Sequence, residues 1–174
     1  MKPKANNIVL IGMPASGKST IGVLLAKRLL RTFIDTDVII QAAEGKGLQQ
    51  IIDTQGLRDF CRIEEKHILE IEAQNAVIAT GGSAVYSDKA MKKLAANSTV
   101  IHLYLPLDCI KERLTNLVTR GVVMEKNQTL DTLFETRTPL YQKYADITVD
   151  CSGLGHEQTV DKIVSALSGF ADKL

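Results

Sequence analysis

The run Gly12-Met13-Pro14-Ala15-Ser16-Gly17-Lys18-Ser19 satisfies the pattern G-x-x-x-x-G-K-[ST], and it narrows the possible folds more than any other segment. The pattern carries meaning only where a buried strand enters it and a helix leaves it. Ile8-Val9-Leu10-Ile11 is a continuous apolar run that stops at Gly12, as a strand covered on both faces would. From Lys18 to Leu30 the residues Ile21, Leu24, Leu25, Ala26 and Leu29 recur at helical spacing. Both conditions are met, and the chemistry follows from the residue types. Gly12 and Gly17 let the main chain bend so that its amides surround phosphate groups, an approach that side chains would block. Lys18 supplies a point charge for β- and γ-phosphates, Ser19 a hydroxyl for Mg²⁺, and the following helix points its positive end at the anion. The chain contains no N-K-x-D element of the kind that selects guanine, which favours ATP.

The rest of the chain alternates strands and helices. Phe33-Ile34-Asp35 is a short strand, followed by a helical segment that begins at Asp37 and is interrupted at Gly45 and Gly47. Leu57 to Ala73 carries Phe60, Ile63, His67 and Ile71 at spacings of three and four and reads as a helix. Ala76-Val77-Ile78-Ala79 is a strand that runs into the turn Thr80-Gly81-Gly82-Ser83. A strand over Val100–Leu105 stops at Pro106, and a helix follows to about Leu117. Residues 118–128 show no period and contain Gly121, which predicts a loop placed as a mobile lid. A helix over Leu130–Tyr144, a strand over Asp146–Asp150 and a helix over His156–Leu174 complete the order. Such alternation predicts a parallel sheet wrapped on both faces, with ligands at the carboxyl ends of its strands.

Composition excludes several classes of partner. With 174 residues the chain is expected to be one domain, and 21 Lys plus Arg against 20 Asp plus Glu leave a formal net charge of +1, too little to hold a polyanion. Nucleic acid is therefore not expected as a partner. Cys61, Cys109 and Cys151 lie far apart without a CxxC pair and read as thiols in a reducing compartment. No apolar run approaches a membrane span, and Met1–Asn7 lacks the apolar region of a signal peptide, so a cytoplasmic protein is expected. A monomer with a small-molecule partner is the accompanying expectation. His67, His102 and His156 have no partner visible in the sequence and receive no role.

Asp35-Thr36-Asp37 is the second candidate cluster. Strand alternation would put both carboxylates on one face, about 6–7 Å apart. In phosphoryl transfer one would hold a metal through water while the other receives or orients the acceptor hydroxyl. A competing reading makes Asp37 only a helix cap.

With these residues in view the chain resembles the shikimate kinases, small relatives of the nucleoside monophosphate kinases. The likeness spans nearly the whole chain. It is carried by Gly12–Thr20 with Ile21-Gly22, Phe33–Asp37, Phe60 with Arg62-Ile63-Glu64, Ala79–Gly82, Arg137 with Pro139-Leu140-Tyr141, and Ala145–Asp150. The resemblance implies a three-layer αβα sandwich whose five parallel strands run in the order 2-3-1-4-5, with a lid closing over the nucleotide. It implies transfer of the γ-phosphate of ATP to a ring hydroxyl of shikimate, on the route to chorismate and the aromatic amino acids. By position it assigns the nucleotide to Gly12, Ala15, Ser16, Gly17, Lys18, Ser19 and Thr20, with Arg113 at the adenine and Arg120 reaching the phosphates from the lid. Mg²⁺ falls to Ser19 and Asp35, and catalysis to Lys18, Asp37 and Arg120. The acceptor falls to Asp37, to the backbone of Gly81 and Gly82, and to Arg137, which would take its carboxylate.

The departures gather on the acceptor side and the lid. Cys61 follows Phe60 where the family pattern has an arginine that grips the acceptor carboxylate. A charge-assisted hydrogen bond contributes about 1.5–3 kcal/mol, so its loss weakens a carboxylate ligand by roughly 10- to 150-fold. Arg58, three residues earlier on nearly the same helical face, is the candidate replacement. Ser83 stands where a third glycine is usual, and Gly121-Val122-Val123 follows Arg120 where the family has Pro-Leu-Leu. Two alternatives stay open at this point: a kinase of another small hydroxy acid or polyol, and a nucleotide-binding protein without turnover.

Overall fold

A computed structural model of the chain describes residues 6–115, 122 and 128–171. Five parallel strands form one sheet in the order β2-β3-β1-β4-β5, with helices on both faces. The central strand β1 (Asn7–Ile11) is buried along its whole length. It pairs with β3 (Ala76–Ala79) through Ile8↔Val77 and Leu10↔Ala79, and with β4 (Ser98–Tyr104) through Val9↔Val100. Strands β2 (Thr32–Asp35) and β5 (Ile147–Asp150) lie outside these, with Asp35↔Ala79 and Tyr104↔Asp150 in register. Because all five strands run the same way, Gly12, Asp35 and Thr80 leave the sheet at one edge. The candidate site residues of these strands converge there.

Helix α1 (Lys18–Leu29) covers one face through Ile21, Leu25 and Ala26. Gly22 lets it approach β2 closely, since a Cβ there would meet the Phe33 ring at 2.5 Å. Helices α2 (Thr36–Glu44), α3 (Leu48–Gln55) and α4 (Leu57–Leu69) share a small core of Ile40, Ile51 and Phe60, which fixes α2 and α4 against each other beside the sheet edge. Truncating Phe60 to alanine would cost about 3–5 kcal/mol and loosen both helices. A 3₁₀ turn (Ala84–Tyr86) and α5 (Asp88–Ala95) lead into β4, followed by α6 (Leu107–Thr115). Helix α7 (Leu130–Tyr144) contains Pro139 and ends before β5, and α8 (His156–Ala171) packs against α1. Among the described residues no helix is long and apolar enough to cross a membrane.

Three expectations change. Helix α4 stops at Leu69, not Ala73: the chain must reverse to enter β3, and it does so through a polar segment with Asn75 in the left-handed region at φ 54°. Helices α3 and α5 occupy stretches for which the sequence reading made no assignment. The second strand ends at Asp35 and helix α2 starts at Thr36, so strand alternation does not relate Asp35 to Asp37. The lid predicted over 118–128, Arg120 within it, and the first five and last three residues of the chain lie outside the described residues, apart from Val122 and Gln128.

Candidate active site

The turn after β1 is built for an anion. Gly12 has φ 148°, and a Cβ there would stand 2.7 Å from the main-chain oxygen of Leu103, which cannot move away. Gly17 has φ 94° and Ala15 φ 62°, both conformations that disfavour L side chains. Helix α1 begins at Lys18 with no side-chain cap and no acidic residue in its first turn, so its amino-terminal amides face the loop. The Ser16 hydroxyl is buried with no hydrogen-bond partner among the described residues. Lys18 folds over the loop and donates to the carbonyls of Gly12 and Met13, each at 2.8 Å. Burial pulls its ammonium down to about 8, against the opposing charge of Asp37. From α6, Arg113 donates to the Ala15 carbonyl at 3.2 Å, placing its guanidinium over the same loop. A cradle that a Cβ would fill, an orphan buried hydroxyl and uncapped helix amides fit a polyphosphate.

Asp35, not Asp37, caps α2: its Oδ1 accepts from the Asp37 amide at 3.0 Å. That bond turns the Asp37 side chain inward, where Oδ1 would stand 2.7 Å from a Cβ on Gly81. Ser19 lies in the first turn of α1. Among the described residues no three His, Cys, Asp or Glu side chains gather to hold a metal alone. A Mg²⁺ ion here would be shared between the Ser19 hydroxyl, water held by Asp35 and phosphate oxygens, the usual way this ion is bound beside a nucleotide.

Opposite the phosphate loop lies a second cluster. Arg137, on α7, is fully buried, and its Nε donates to the Tyr86 hydroxyl at 3.0 Å while its guanidinium stacks 5.1 Å from the Tyr86 ring centre. Its Nη1 would be 2.9 Å from a Cβ on Gly82. The Gly82 carbonyl accepts from Tyr141 at 2.7 Å, and the Gly81 amide donates to the Thr36 hydroxyl at 3.1 Å, so that amide is engaged within the protein. His102 stacks on Tyr141 with ring centres 5.1 Å apart, and burial holds its imidazole down at about 4, uncharged at neutral pH.

Glu64 completes the cluster and has no assigned role in the sequence reading. It is buried, its Oε2 accepts from Ser83 at 2.6 Å, and burial lifts its carboxyl to about 7 against the pull of that hydrogen bond. Cys61, one turn earlier, is half-buried, and a cavity of about 130 Å³ opens beside Cys61, Glu64, Ser83 and Tyr86. Arg58 is exposed at the start of α4. The signal for Glu64 was present but indirect: Phe60, Glu64, His67 and Ile68 form the buried stripe of α4, and a carboxylate inside such a stripe needs a reason. For His67 the reason is structural, an Nε2 contact to Glu44 at 3.1 Å.

Comparisons with known proteins agree with this fold. The shikimate kinase family model matches residues 14–168. The shikimate kinase of Francisella tularensis subsp. novicida is 36% identical over 171 residues, covering 96% of this chain and 95% of its own. That of Thermodesulfovibrio yellowstonii is 37% identical over 161 residues, covering 91% and 92%. Among solved structures, shikimate kinase from Acinetobacter baumannii in complex with shikimate superposes with a TM-score of 0.87 at 28% identity, covering 94% of this chain and 93% of that one. Shikimate kinase from Aquifex aeolicus gives 0.79 at 32% identity, over 95% and 98%. A phosphate loop facing a carboxylate–arginine cluster across one sheet edge, together with these matches along nearly the full length, makes the chain a member of the shikimate kinase family.

Proposed function

We propose that this chain is one kinase domain, residues 1–174, that transfers the γ-phosphate of ATP to a hydroxyl of shikimate with Mg²⁺ as cofactor. The observation that carries the reading is the convergence of Lys18, Asp37, Gly81, Gly82 and Arg137 at the carboxyl edge of the sheet. A phosphate-binding amine and an acceptor-binding carboxylate then face the same space. The Acinetobacter relative holds shikimate, which supports that acceptor here.

In this reading the amides of residues 12–20 hold the triphosphate, and Arg113 stacks on the adenine. Ser19 and Asp35 carry the metal, whose charge when bound neutralises the phosphates. Arg137 takes the acceptor carboxylate from its buried seat, and Arg58, exposed and with no ion pair among the described residues, meets it from the Cys61 side. Asp37 accepts the proton as the acceptor oxygen bonds to the γ-phosphorus, while the bond from that phosphorus to the β–γ bridging oxygen breaks and ADP leaves. Lys18 follows the migrating phosphoryl group, and Arg120 closes over it. Three free thiols suit a reducing cytoplasm, where the enzyme acts as a monomer on small molecules.

A coupled ADP-release assay tests the proposal. Turnover that depends on both Mg·ATP and shikimate is expected; turnover with other hydroxy acids but none with shikimate would overturn the acceptor assignment.

A further inference from the structure

Glu64 is the buried ionisable group that the roles above leave over. One oxygen, Oε2, is taken by the Ser83 hydroxyl. The other, Oε1, has no hydrogen-bond partner among the described residues and faces Gly81 beside Asp37. Charged and titratable groups surround it: Lys18 on α1, Asp37 on α2, Arg137 and Tyr141 on α7, Tyr86 on the 3₁₀ turn, which lines the same cavity, and Cys61 one turn earlier on its own helix. Cys61 brings no charge, since burial pushes its thiol up to about 11. Residue 61 precedes Glu64 by three, the place on α4 from which a cation would pair with it. Here the nearest partner instead arrives from the turn after β3.

We infer that Ser83 is a positioning residue: its hydroxyl holds the Glu64 carboxyl with Oε1 turned toward the acceptor, and this pair, in place of a cation at residue 61, sets how tightly the site holds an anionic acceptor. The inference rests on reading the Gly81–Asp37 cluster as the acceptor site. A hydroxyl donating to a carboxylate favours its ionised form, as do Arg137 and Lys18, whereas burial and Asp37 oppose it. Ionised Glu64 repels an acceptor carboxylate; protonated Glu64 does not, and can donate to it. Burial pushes the Glu64 carboxyl up to about 7, so the hold on an anion should weaken as pH rises through neutrality.

Carboxyl ¹³C NMR of glutamate-labelled protein reads this titration directly, with the Glu64 resonance assigned by its loss in Glu64→Gln. In Ser83→Ala the midpoint is expected to rise by about one pH unit or more, and in Ser83→Thr, which keeps the hydroxyl, to return. The KM for shikimate, expected to rise through pH 7 in the parent, should begin its rise at correspondingly higher pH in Ser83→Ala, with the KM for ATP unmoved. On a Cys61→Arg background the Ser83→Ala shift should shrink. An unmoved NMR midpoint, or a moved midpoint with an unmoved KM profile, overturns the inference. If the Ser83 variants fail to fold, Glu64→Gln decides: loss of the KM rise near pH 7 supports the inference, and its persistence overturns it. Absence of shikimate turnover in the parent is a failure of the functional reading instead, and the NMR titration still decides whether Ser83 holds Glu64.

Discussion

Replacing Gly81 by alanine probes the join between fold and chemistry. A Cβ at this position would collide with Glu64 Oε1 and stand 2.7 Å from Asp37 Oδ1, about 0.7 Å inside ordinary contact. Glu64 has little freedom to retreat, because it is buried and held by Ser83. Asp37 must therefore give most of the distance, and a displacement approaching 1 Å of the group proposed to orient the acceptor should lower the rate by roughly 10- to 100-fold. Overpacking of this kind also costs about 1–3 kcal/mol of stability, a fall in Tm of roughly 3–10 °C for a chain of this length. The phosphate loop lies away from the new methyl, so the KM for ATP is expected to remain at the parental value. Steady-state kinetics by coupled ADP release, with a thermal melt on the same preparation, measures all three quantities. Parental kcat and parental acceptor KM in a folded Gly81→Ala enzyme would refute the placement of Asp37 and Glu64 around this glycine.

Other consequences follow from the same geometry. Lys18→Ala should lower phosphoryl transfer by roughly 10²–10³-fold or more, and normal turnover would remove the phosphate-loop assignment. Cys61→Arg should lower the KM for shikimate by up to roughly 10- to 150-fold, and an unchanged or higher KM would discredit the account of that position. Glu64 is raised from 4.5 to about 7 on folding, so the stability its proton contributes is full below pH 4.5 and lost as pH rises through 7. That loss is on the order of 3 kcal/mol. The Tm of Glu64→Gln relative to the parent should accordingly climb by about 5–10 °C between pH 4.5 and 8, and a difference independent of pH would contradict the buried carboxyl.

Much of this was legible in the chain because the signals are local. Gly12 and Gly17 sit where only glycine relieves the backbone, the apolar run of β1 announces a strand buried on both faces, and the resemblance carried Gly81, Gly82 and Arg137 into one site. Asp35 and Asp37 were singled out, but their relation was misread: a cap bond from the Asp37 amide starts the helix one residue after Asp35, so a turn brings the second carboxylate inward. The missing parts depend on contacts between distant segments. Helix α3 is eight residues held by Ile51 against Ile40 and Phe60, too short to show a period of its own. Glu64 finds Ser83 19 residues away and Arg137 finds Tyr86 51 residues away, pairings that no spacing within one helix reveals.

The central claim, that a phosphoryl group passes from a nucleotide held by residues 12–20 to shikimate held near Asp37 and Arg137, is tested most directly by following phosphorus itself. With ATP, Mg²⁺ and shikimate, ³¹P NMR should show the γ-phosphate resonance replaced by that of a phosphate monoester on shikimate, with ADP formed in equal amount. Inorganic phosphate and ADP with no phosphate monoester, or unaltered ATP in the presence of folded enzyme, would contradict the account.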